Sequence, residues 1–379
     1  MGPRPPLRLA AVVLLATVAL PTMTAEAIAK PLRHNDSGVW REVPTGSTAR
    51  LRGLAPVSRR VAWVSGSAGT VLRTTDGGRR WRDVSPPDAA GMELRDVEAF
   101  DARHAVVLSI GPGTDSRVYR TSDGGRTWRR TFTNADPAAF YDCLAFWDRR
   151  NGIALSDPVD GRFRVLRTDD AGRSWSVVDP AGMPAAQAGE FAFAASGTCV
   201  VTAGRSDAWI ASGGGATSRV YRSRDRGRTW SVTSTPVRST PAGGIFSLTV
   251  RGRRDLVAVG GDFTAPTVGT DASAFSRDAG RSWTPGGALG GYRSGAAWLP
   301  VRHGHGHGQG YGPGQGYGHG QGAGRGSVVA VGPTGTDLSR DGGRTWRTVD
   351  TGSLDSVECT RDGACWASGE RGRVAVLHR

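Results

Sequence analysis

Six times along the chain one eight-residue phrase returns: TTDGGRRW at Thr74–Trp81, TSDGGRTW at Thr121–Trp128 and TDDAGRSW at Thr168–Trp175, then SRDRGRTW at Ser223–Trp230, SRDAGRSW at Ser276–Trp283 and SRDGGRTW at Ser339–Trp346. A catalytic motif is needed once. A phrase repeated at intervals of about 40–50 residues marks one supersecondary unit copied along the chain, as in propeller blades or solenoid repeats.

The segment between two copies shows what that unit is. Leu94–Phe100 alternates and breaks at Asp101-Ala102-Arg103, and Ala105–Ile110 is an apolar run ended by Gly111-Pro112-Gly113. Arg117–Arg120 leads into the phrase and Trp128–Phe132 leaves it. These are four short strands with turns between them and no helical periodicity. Four antiparallel strands per repeat predict an all-β propeller.

The phrase itself is then the turn between the third and fourth strands. Its aspartates (Asp76, Asp123, Asp170, Asp225, Asp278, Asp341) are read as structural acceptors of turn N–H groups. The glycine two residues on suits a left-handed backbone, and the Trp is expected to pack between blades. After Trp346 the chain holds three more strands, Asp355–Cys359, Cys365–Ser368 and Arg373–Leu377, without a seventh phrase. Val39-Trp40-Arg41-Glu42-Val43 resembles Trp81-Arg82-Asp83-Val84, so the N-terminal part is expected to supply the outer strand of a seventh blade. Closure of that kind removes the open sheet edge.

Arg4 and Arg8, the uncharged run Leu9–Leu20 and the small residues of Ala25-Glu26-Ala27 have the layout of a secretory signal peptide, with cleavage expected after Ala27 or Ala29. Residues 30–379 are read as one propeller domain, exported and monomeric. In an oxidising compartment Cys143, Cys199, Cys359 and Cys365 are expected to form disulfides. Cys359 with Cys365 would staple a hairpin, and Cys143 with Cys199 would tie two successive repeats; two free buried thiols remain open for the latter. The cysteine spacing matches no zinc or redox pattern and no cofactor fingerprint is present; the alternating His303, His305 and His307 could capture a transition metal weakly, with low-complexity expansion the favoured reading. The Gly/His/Gln/Tyr tract at 303–326 is low-complexity and is expected to interrupt the sixth blade as a loop.

The net charge of +14 is almost wholly arginine, since Lys30 is the single lysine. Many of the arginines fall in the repeated turns, so they read as a solvated rim rather than as a nucleic-acid groove.

The phrase Ser/Thr-x-Asp-x-Gly-x-Thr-Trp is similar to the Asp box, with Arg80 the one departure at the penultimate position. The wider blade pattern of Gly69–Trp81 resembles most the photosystem II stability/assembly factor family, and more distantly the sialidase-like propellers. The first resemblance implies a non-enzymatic, exported binding protein that helps to assemble complexes with protein partners at a membrane or cell surface. The second implies a glycan-active alternative, a glycosidase or a lectin. That alternative would use Tyr141 with Glu190 and the arginines Arg52, Arg95 and Arg293. The Arg-Ile-Pro signature of the sialidases is missing from the mature chain.

Function should lie on the face opposite the repeated turns. Aligning the start of each inner strand places Arg52, Arg95, Asp142, Phe191, Ser247, Arg293 and Asp355 around the channel mouth. Tyr141, Asp142, Asp157, Asp160 and Glu190 form the densest local group there. As Asp-Pro and Asp-Gly are ordinary turn pairs, turn chemistry is the competing reading for Asp157 and Asp160.

Overall fold

β-branched and aromatic residues alternate in runs of four to nine between Gly- and Asp-rich turns, and those runs become strands. In the computed structural model, which describes residues 39–300 and 326–378, they form seven four-stranded antiparallel sheets. The protein is an all-β seven-bladed propeller. The innermost strands of blades 1 to 7 are Leu51–Pro56, Glu93–Ala99, Tyr141–Phe146, Val200–Ala203, Gly243–Arg251, Gly295–Trp298 and Ser356–Cys359. The expected signal peptide and the tract at 303–325 lie outside the described residues.

The ring closes through both ends of the chain. Trp40–Glu42 is the outer strand of blade 7, antiparallel to Val374–Leu377, with Trp40 opposite Leu377 and Glu42 opposite Ala375. The indole of Trp40 is buried and donates to Thr336 Oγ1 of blade 6 at 2.9 Å, so closure also joins two blades.

Apolar clusters fill the space between neighbouring blades. Val106, Leu108 and Val118 of blade 2 pack against Tyr141, Leu144 and Leu166 of blade 3, and Trp63 of blade 1 meets Trp128 of blade 2 edge-on. Both disulfides are present: Cys143–Cys199 links the inner strand of blade 3 to the segment entering blade 4, and Cys359–Cys365 staples a hairpin of blade 7.

The six repeated turns share one geometry. In blade 2, Thr121 Oγ1 donates to Asp123 Oδ1 at 2.9 Å and accepts the N–H of Gly125, which sits at φ +81°. Asp123 Oδ1 accepts the N–H of Thr127, and Oδ2 accepts its hydroxyl at 2.7 Å. These bonds hold the Asp123 carboxylate below its ordinary range, to about 2. Arg80 cannot offer the hydroxyl, so Asp76 keeps the amide bond at 3.0 Å and has no counterpart of the last one.

Candidate functional site

Where the pleat of an inner strand is interrupted, one side chain leaves the regular alternation. Blades 1, 2, 3 and 5 show this as a register shift near the start of the inner strand, and the residues inside the shifts are Arg52, Arg95, Asp142 and Phe246. A bulge of this kind re-aims one side chain and leaves the rest of the ladder paired. Phe246, rather than the expected Ser247, therefore takes the mouth position in blade 5. Ser247 is buried; its hydroxyl bonds Thr198 of blade 4 and accepts the N–H of Ala296 of blade 6.

Blade 4 departs most from the expected layout. Its inner strand was expected to open at Glu190-Phe191, but the ladder runs over Val200–Ala203, and the backbone of Phe191 forms an isolated bridge to Gly213 while its ring packs edge-on against Phe193. The freed stretch reaches toward the opposite blades. The carbonyl of Ala194 accepts from Arg52 Nη1 at 3.5 Å and from Arg95 Nη1 at 3.2 Å. A Cβ added to Gly197 would sit 2.4 Å from Asp96 Oδ1, so only glycine fits against blade 2 there. On the other side Phe193 stacks on Phe246 with centroids 3.7 Å apart, and Phe246 meets Tyr292 edge-on. An aromatic floor thus lies beside the arginines. Phe263, 53% exposed, extends it to the rim.

Of the residues expected at the mouth, the fold brings Arg52, Arg95, Asp142 and Asp157 together. Asp142 is only 2% exposed, and its Oδ2 has no hydrogen-bond partner among the described residues. Burial pushes its carboxyl well above the ordinary range, Asp157 beside it pushes the same way, and Arg95 opposes both. Asp157 accepts the N–H of Ala192 at 2.8 Å and is raised by burial to about 7. Arg52 keeps an orphaned Nε, and burial is the main influence lowering its pKa. Asp355 is engaged by Arg50, which donates to both of its oxygens at 2.9 and 2.8 Å.

The other expected residues lie elsewhere. Tyr141 is core: its ring packs edge-on to Phe132, its hydroxyl lacks a partner among the described residues, and burial raises it to about 12. Asp160 is exposed at φ +52°, paired with Gly161 in a two-residue hairpin turn. Glu190 forms a buried ion pair with Arg219 and also accepts from Ser212. Arg293 is fully buried against Asp337 at 2.7 Å. Glu190 and Arg293 hold their own loops against a third strand rather than facing the channel.

Three carboxyl groups that composition does not single out lie deeper in the channel. Asp96 accepts the N–H of Leu144 and is raised to about 7 by burial. Glu98 is raised to about 8 by burial and by Asp96, and burial together with Glu98 raises Glu358. The alternate positions 96 and 98 of one inner strand were the available sequence signal. Among the described residues no group of His, Cys, Asp and Glu has an arrangement that could hold a metal ion.

No family model matches the chain, and no curated protein matches it. Solved propellers do. The structure titled "YCF48 bound to D1 peptide" is 14% identical over 93% of this chain and 100% of that one, with a TM-score of 0.57. YCF48 from Cyanidioschyzon merolae is 16% identical over 89% and 98%, with a TM-score of 0.59. A streptogramin B lyase is 9% identical over 89% and 97%, with a TM-score of 0.58. At these identities the likeness is one of fold.

Proposed function

We propose that the chain is an exported, non-catalytic binding propeller whose channel mouth holds a segment of a protein partner. The observation that supports this most is the set of unmet polar atoms at the mouth. Asp142 Oδ2 and Arg52 Nε lie beside an aromatic floor that reaches solvent at Phe263. A buried donor or acceptor left without a partner costs about 1–3 kcal/mol, and a ligand that satisfies it recovers that cost. An extended polypeptide carries both N–H and C=O groups and can meet an acid and a base at once. The neighbour bound to a D1 peptide gives a precedent for peptide capture on this fold. The Asp-box resemblance of the repeated turns supports the assembly-factor reading over an unrelated propeller.

The hydrolase alternative has less to stand on. Glycoside hydrolysis uses two carboxyl groups about 5–10 Å apart, one of them ionised, whereas burial raises both Asp142 and Asp157 above the ordinary carboxylate range.

The test is cross-linking in the native host followed by mass spectrometry, comparing the wild type with an Arg52→Gln, Asp157→Asn variant. Specific protein cross-links that disappear in the variant are the expected result. Recovery of carbohydrate without protein, or cross-links indifferent to the variant, would overturn the assignment to the mouth.

A further inference from the structure

The two faces of the disc carry opposite charge. On one face lie the loops joining first to second strands and the turns joining third to fourth; their described residues hold 20 arginines against 10 aspartates. The loops of the mouth face hold 5 arginines against 9 acidic residues. The solvated rim expected from the sequence is therefore a sided one, and nearly all of its excess sits opposite the mouth.

The negative charge on the turn face is also turned inward. In blade 4, Asp225 gives Oδ1 to the N–H groups of Arg228 and Thr229 and Oδ2 to the Thr229 hydroxyl. Arg228 is exposed, and among the described residues its guanidinium bonds only a backbone carbonyl, that of Asp225. Between blades, an arginine at or just past the end of the third strand in blades 1 to 5 (Arg73, Arg120, Arg167, Arg222, Arg277) lies near the turn arginine of the next blade. Arg120 lies close to Arg173, and Arg167 to Arg228; burial first, and then the neighbouring guanidinium, lowers the pKa of Arg120 and of Arg167. Among the described residues, Arg167 Nε and Arg222 Nε are buried without acceptors. The turn carboxylates near these pairs, Asp170 and Asp225, already spend their oxygens on turn amides and hydroxyls, and guanidinium forks match phosphate oxygens.

The placement of these pairs selects the partner's shape. They recur from blade 1 to blade 6 along the rim of one face, so a linear polyanion could engage only part of this curved row, whereas a flat anionic surface meets the row together. We propose that the turn face docks on a phospholipid bilayer bearing anionic headgroups, with the mouth face directed away from it. This inference goes beyond the proposed peptide capture and does not depend on it. The opposite sign of the mouth face reinforces the orientation, because an anionic surface repels it.

The experiment is co-sedimentation of the full mature chain with vesicles of phosphatidylcholine containing about 30 mol % phosphatidylglycerol, against pure phosphatidylcholine, at physiological salt. The wild type is compared with two variants at Arg173, Arg228, Arg281 and Arg344, one with all four changed to Gln and one with all four changed to Lys. Each basic residue near an anionic membrane contributes roughly fivefold in affinity, so four together contribute on the order of several hundredfold. The expected result is binding to the anionic vesicles alone, lost in the Gln variant and largely retained in the Lys variant, whose equal truncation controls for folding. Equal binding to both vesicle types, or binding untouched by the Gln changes, would overturn the proposal. So would capture of a soluble phosphorylated polymer with no vesicle binding, which would assign the face to polymers.

Discussion

Replacing Asp96 by Asn should make the protein more stable in alkali and nearly neutral in acid. Asp96 lies in the inner strand of blade 2, is 4% exposed, and accepts the N–H of Leu144 at 2.6 Å. Its folded pKa of about 7 exceeds the unfolded value of about 3.9. Folding therefore favours the protonated acid. The stability it contributes is fully present below pH 4 and is lost as pH rises through 7. A difference of about three units corresponds to about 4 kcal/mol, and partial relaxation around a charged group brings the expected figure to about 2–4 kcal/mol. Asn keeps an acceptor for Leu144 and cannot ionise. Urea unfolding with disulfides intact should thus show the Asp96→Asn variant within about 1 kcal/mol of wild type at pH 4.5, and ahead by about 2–4 kcal/mol at pH 8.5. An advantage of the same size at both pH values, or one that shrinks with rising pH, would refute the assignment of a neutral buried acid.

Three further outcomes are expected. Asp225→Ala removes the acceptor of two turn amides and two hydroxyls and should cost about 1–3 kcal/mol, with Asp76→Ala costing less because Arg80 supplies no hydroxyl; paired urea melts compare them. Serine replacement of Cys143 and Cys199, which close a separation of 56 residues, should cost about 4 kcal/mol, against about 2 kcal/mol for Cys359 and Cys365 at a separation of 6. Trp40→Ala should cost about 3–5 kcal/mol, and hydrogen exchange should then show the amides of Val374–Leu377 opening before those of any other third strand.

The fold was legible because its grammar is local and repeated. One turn phrase, its Trp and the apolar runs between copies define a blade, and the Trp40 segment shows how the ring closes. Bulges broke the reading at the mouth. A single extra residue moves Phe246 to the channel and Ser247 into the interblade bonds, and no pattern of alternation announces where that residue enters. Pairing at long range hid the rest. Glu190 finds Arg219 and Arg293 finds Asp337 only once the strands are laid side by side. The stretch around Ala194 was the least legible, because its partners Arg52 and Arg95 belong to blades folded from a much earlier part of the chain.

The way blade 7 is assembled has a mechanical consequence. Trp40 opposes Leu377, and the N–H of His378 reaches the carbonyl of Val39, so both chain ends leave the sheet at the same end of one antiparallel pair. A force applied between the two ends would open that pair one rung at a time, like a zipper, instead of shearing all rungs together. The ring should therefore yield first at its clasp, with the six blades made from continuous chain still intact. A tether attached at either end alone loads the clasp far less than one that grips both.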